Sequence, residues 1–162
     1  MTSKFMYWND LYGKPVLPVG QGRQCGVVED FYYDPETQAI YALRVNAGLH
    51  GHRVLLSSSI SSIDQSGVMI ANEFKLIDED NAGPIYQLPL GDRLTGFRIV
   101  TEEGQSLGSV RNIVLGIYPP TALRISAFEL DDRHATRVSA HEITHFGEDS
   151  LTVMEQEGKK VR

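Results

Sequence analysis

The sequence predicts an all-β chain of two tandem small β-barrels with short helical turns. Three observations carry this. The chain repeats itself at a spacing of about 83 residues: Leu11-Tyr12-Gly13-Lys14-Pro15-Val16 returns as Leu94-Thr95-Gly96-Phe97-Arg98-Ile99, and Ser59–Ile63 returns as Glu142–Phe146. Apolar residues alternate with period two, and no long stretch keeps a 3.6 period. Clusters of Gly, Pro, Asp and Asn punctuate the apolar runs at the short intervals of a barrel or sandwich.

Taken in order, residues 1–9 form an N-terminal segment and 10–72 a first unit. Strands are expected at 14–18, 24–33, 38–46, 52–56 and 67–72, each bounded by a turn such as Gly20-Gln21-Gly22 or Asp34-Pro35-Glu36-Thr37. Residues 73–93 are an acidic connector whose two prolines oppose a regular element at its centre. Its Ile85, Tyr86, Leu88 and Leu90 are too apolar for a solvated linker, so it is expected to lie against a barrel. The second unit, 94–155, carries expected strands at 97–101, 107–116, 122–130, 134–139 and 150–155. Ser139-Ala140-His141-Glu142 has the form of a capping box opening a short helical turn, with Gly147 as its stop. The tail, 156–162, is expected to be disordered.

Charge and composition narrow the function classes. Fifteen Lys+Arg against twenty-one Asp+Glu give a formal net charge of -6, with no basic stripe to compete for a phosphate backbone, so nucleic acid is not an expected partner. One cysteine excludes an internal disulfide and any cysteine-rich zinc site. The opening residues lack the apolar core of a signal peptide and no apolar run is long enough to span a bilayer. The expected location is cytoplasmic.

The ordered set Leu11, Gly13, Val16, Gly26, Val28, Asp30 and the Asp34–Thr37 turn, with Leu94, Gly96, Ile99, Gly108, Val110 and Asn112 in the second unit, resembles the PRC-barrel family. That domain is named for the cytoplasmic part of the H subunit of purple-bacterial photosynthetic reaction centres. It is also similar to the C-terminal domain of the ribosome maturation factor family. The second unit departs from the pattern where Gly116–Thr121 replaces the Asp34–Thr37 turn. The resemblance implies a scaffold or adaptor barrel with no catalytic residues to carry over.

Several constellations invite chemistry. His141-Glu142-Ile143-Thr144-His145 matches HExxH letter for letter, and a zinc-dependent hydrolase would use those histidines as ligands and Glu142 to activate water. That mechanism needs a long helix and a third ligand, whereas the first unit holds Ser58 and Ser62 at the His places. His50, His52 and His134 offer a metal site only by coincidence of folding. Gly20-x-Gly22-x-x-Cys25-Gly26 is followed by a strand rather than a helix N-terminus, so it reads as a turn and not a phosphate loop. Cys25 aligns with Leu107 and is expected in the core. No catalytic residue, cofactor or metal is therefore expected.

Aromatic residues are more suggestive. Eight of fourteen lie in the first 41 positions, and strand alternation sends Phe31 and Tyr33 to one face and Tyr32 to the other. Tyr7, Trp8, Phe31, Tyr32 and Tyr33 are the candidate interface residues, with a wall or inter-unit junction as the other reading. The expected function is a non-enzymatic adaptor that binds a protein partner or self-associates as a homodimer through the aromatic surface of the first unit. The alternatives are the zinc hydrolase and a module docked peripherally on a membrane energy-transducing complex.

Overall fold

A computed structural model describes residues 4–154, so the expected disordered tail at 156–162 lies outside the described residues. The fold is all-β with short helical turns. Strand β1 (Phe5–Tyr7) and a single turn α1 (Trp8–Leu11) lead in. The first unit then runs β2 (Pro15–Pro18), β3 (Gly26–Tyr33), β4 (Ile40–Asn46), β5 (His52–Leu56), β6 (Ile60–Asp64), β7 (Gly67–Ile70) and β8 (Leu76–Asp78). The second runs β9 (Arg98–Thr101), β10 (Ser106–Gly116), β11 (Arg124–Leu130), β12 (Arg137–Ser139), β13 (Ile143–Phe146) and β14 (Ser150–Val153).

Both units share one strand order. The first sheet is β6-β7-β2-β3-β4-β5-β8 and the second is β13-β14-β9-β10-β11-β12, with β2–β7 and β9–β14 as the parallel pairs. Strands β6 and β13 escape the period-two reading for a physical reason. Each contains a bulge, between Ile60 and Ser62 and between Ile143 and His145, and a bulge breaks strict alternation. The expected capping box does not form: Ala140–Glu142 is one 3₁₀ turn without a side-chain cap, and Ser139 Oγ instead meets His141 Nδ1 at 2.8 Å. The Ser139 hydroxyl is engaged by the His141 imidazole and not by a backbone amide of the turn. Gly147 sits between β13 and β14, where its amide bonds Ser150 O at 2.8 Å.

The two units exchange their leading segments. Strand β1 pairs with β10, with Tyr7 opposite Val114, and the Pro89–Gly91 stretch pairs with β3, with Leu90 opposite Tyr32. The Asn9 amide donates to Asn112 Oδ1 at 3.4 Å, and the Asp92 amide donates to Asp30 Oδ1 at 2.9 Å. The β3–β4 and β10–β11 hairpins also meet reciprocally: Ile40 N–H donates to Leu123 O at 2.9 Å, and Ile125 N–H to Gln38 O at 3.0 Å. The matched contacts relate the units by an approximate twofold, and one core cluster runs through both.

Trp8 sits on this exchange and is fully buried. Its repeat counterpart is Gly91, for which only hydrogen fits: an added Cβ would lie 2.0 Å from ring carbons of Phe31. The smallest residue at this position of the second leading segment thus makes room for the Phe31 ring. Gly91→Ala should cost about 1–3 kcal/mol by overpacking a rigid core. Denaturant unfolding should also show that loss shrinking when Phe31→Leu is combined with it, a coupling between touching residues.

Candidate interaction site

Of the five candidate interface residues, four are interior. Trp8, Phe31, Tyr32 and Tyr33 are buried, and Tyr7 alone is half-buried. They do not form an exposed surface, because the strand exchange places them at the inter-unit junction and beneath the connector. Trp8 stacks edge-on to Phe31 at 4.9 Å, Phe31 touches Tyr33 at 6.1 Å, and Tyr33 touches Phe146 of the second unit at 5.7 Å. The indole Nε1–H donates to Asp92 Oδ1 at 2.6 Å, which satisfies the one polar group of a buried Trp. On the opposite face of β3, Tyr32 joins Ala42 and Val54 beneath Ala82, Ile85, Leu88 and Leu90 of the connector. Burial pushes both Tyr32 and Tyr33 up to about 12, so both hydroxyls stay protonated.

The histidine and cysteine constellations do not assemble. His141 lies in the 3₁₀ turn and His145 in β13, so they are not one α-turn apart on a helix face. Among the described residues, no three or more His, Cys, Asp and Glu side chains gather as a metal site. His52 Nδ1 pairs with Glu29, while His50 sits in a separate 3₁₀ turn. Cys25 is half-buried against the core, and burial pushes its thiol up, away from nucleophilic use. Gly26 is demanded by packing and not by a phosphate: a Cβ there would lie 2.6 Å from Val45 Cγ1 and 2.8 Å from Asn46 O.

The two outer sheet faces differ, and that difference defines the site. In the first unit, β5 receives β8 along its edge, Val54 opposite Ile77, and the connector closes over Tyr32, Ala42 and Val54. In the second, the matching positions are Val114, Ala127 and Arg137, by the same ladder register. There Phe5 and Tyr7 take the places of Leu88 and Leu90, and an open cleft of about 300 Å³ remains, floored by Val114, Ser126 and Ala127. Among the described residues, β12 carries no strand on its outer edge.

An ion-pair cluster borders this cleft. Glu129 is buried; it accepts from Tyr7 Oη at 2.6 Å and Arg111 Nη2 at 2.8 Å, while Arg137 Nη2 donates to Tyr7 Oη at 2.6 Å. The first unit has the same pair with its signs reversed: Arg44 Nε lies 3.2 Å from Glu29 and 3.1 Å from Glu79. Sequence reading missed both clusters, although Glu29/Arg111 and Arg44/Glu129 occupy matched ladder positions and their sign reversal is visible in the repeat.

Residues 3–75 match the family model of the PRC-barrel domain. Comparison with curated proteins finds no match. No helix among the described residues is long and apolar enough to cross a membrane.

The hydrogen bond from Tyr7, and then the Arg111 contact, hold the Glu129 carboxyl below its ordinary value of 4.5. A depressed folded-state pKa adds stability above the unfolded value that is lost as pH falls through the folded one. The stability difference between the parent and Glu129→Gln should therefore be constant near neutrality and shrink below about pH 4.5. Urea unfolding of both proteins from pH 7 to pH 3 reads this directly.

Proposed function

The chain carries a PRC-barrel domain at residues 3–75, and from that premise we propose that it acts as a non-enzymatic adaptor that binds a protein partner. PRC-barrels often mediate protein interactions and are in general not catalytic. The observation that carries the reading is the unequal covering of two equivalent faces. The first unit's outer face lies under the connector, whereas the second unit's is open beside half-exposed Phe5 and Arg137. An exposed aromatic beside arginine on a partly apolar floor has the composition of a protein-binding patch.

The reading shifts the binding surface away from the aromatic cluster of the first unit. Those rings already serve an intramolecular interface, so self-association through them would require the two units to come apart. The hydrolase alternative draws no support from His141, Glu142 and His145, which lie on a 3₁₀ turn and a strand.

Photo-crosslinking in the native cell tests the proposal. A benzophenone side chain at position 126, in the cleft floor, should form a discrete adduct with another polypeptide. The same group at position 102, in the exposed β9–β10 turn, should not. No adduct at 126, or equal adducts at both positions, would remove the adaptor reading.

A further inference from the structure

The four sheet edges are not equivalent. Strand β6 lies against the 3₁₀ turn at 120–122 of the second unit, and β13 borders Pro35 and Glu36 of the first. Strand β8 is itself the covering strand of β5, three residues long, with Asp78 paired to Arg53. Of the four ends of the two strand paths, that leaves β12 open among the described residues; β1 lies off the path, paired with β10. Leu130 N–H donates to Thr136 O, so ladder alternation turns the backbone groups of Arg137 and Ser139 away from β11, toward that edge. An edge presenting unpaired groups is a template for strand addition.

The first unit shows what such an edge accepts. Segment Leu76–Asp78 pairs antiparallel with β5, Leu76 and Ile77 pack on its two faces, and Glu79, the next residue, reaches Arg44 at 3.1 Å. Resting on the adaptor reading, we propose that the β12 edge binds an extended segment of a partner polypeptide as an added antiparallel strand. Its apolar side chain covers Ala127 beside the buried Val114, and its carboxylate meets Arg111 and Arg137. Charge selects an acidic segment: two arginines, each about half exposed, share the single carboxylate of Glu129. Asp10 also lines the cleft, so the partner's carboxylate is directed to the arginine side. The chain's own sequence is a poor match, since Lys159 and Lys160 follow β14 at the interval at which Leu76 and Ile77 follow β7.

The probe is a fluorescent synthetic peptide with the sequence of residues 73–90, titrated into the full chain and followed by anisotropy. Saturable binding is expected, weakened about tenfold or more by Arg137→Ala, which removes a charge-assisted contact. Ser139→Pro should do the same by deleting an outward N–H. The backbone at 139 has φ -64°, which proline adopts, so this variant keeps its fold. Replacing the peptide's three carboxylates after the Leu-Ile pair, those of Asp78, Glu79 and Asp80, with amides should weaken it similarly, whereas Arg53→Ala, at β5, should leave binding unchanged. Loss with Arg53→Ala alone would mean exchange with the resident connector and would overturn the proposal.

Amide exchange on the full chain distinguishes the other occupants. Arg137 and Ser139 amides should exchange as exposed amides without peptide. Protection at every protein concentration would assign the edge to residues 155–162, and protection only at high concentration to a second copy; either overturns the proposal. Fast-exchanging amides with no peptide binding also overturn strand addition, while an adduct at position 126 would leave the adaptor reading standing.

Discussion

Each unit's leading segment is built into the other unit's sheet, and the rest of the structure depends on that reciprocal pairing. Small barrels of this length bury too little apolar surface to be secure alone. Crossing β1 onto β10 and Pro89–Gly91 onto β3 joins the two hydrophobic interiors into one. The exchange also determines where the aromatics go. Trp8 arrives from outside the first barrel, fills the space beside Phe31 and is held by Asp92 from the opposite leading segment. Gly91, at the repeat position of Trp8, leaves the space that the Phe31 ring occupies.

Duplication also creates redundancy, and the chain uses it unequally. The first unit spends its outer face on the connector, which supplies an edge strand, an apolar cover and a carboxylate to Arg44. The second unit carries the same ladder with the cross-strand ion pair inverted and the apolar Val54 replaced by Arg137. These substitutions turn a face suited to intramolecular covering into a charged one. The copies thus differ in the charge and covering of one face, while their common features maintain the fold.

Much of the fold was legible in the chain. Gly, Pro and Asp turns bound the long strands because turn chemistry is local, and alternation identifies a strand wherever one face is buried. Strands β6 and β13 were hidden by bulges, and β8 by being a three-residue edge within an acidic, proline-containing stretch. Little of the site was legible. Alternation correctly separated Phe31 and Tyr33 from Tyr32, but it says nothing about what covers each face. Here both are covered, by the second unit on one side and the connector on the other.

By itself the sequence determined an all-β chain in two similar units, the resemblance of the first to the PRC-barrel domain, and the failure of HExxH to find a helix. Period, turn residues and repeat are properties of neighbours along the chain. Only the tertiary structure decided that the aromatic cluster is an internal junction and that the open face belongs to the second unit. The partners involved, Trp8 with Asp92, Tyr7 with Glu129, Gln38 with Ala140, lie 84 to 122 residues apart. No local pattern encodes such contacts; they follow from which sheet each leading segment joins.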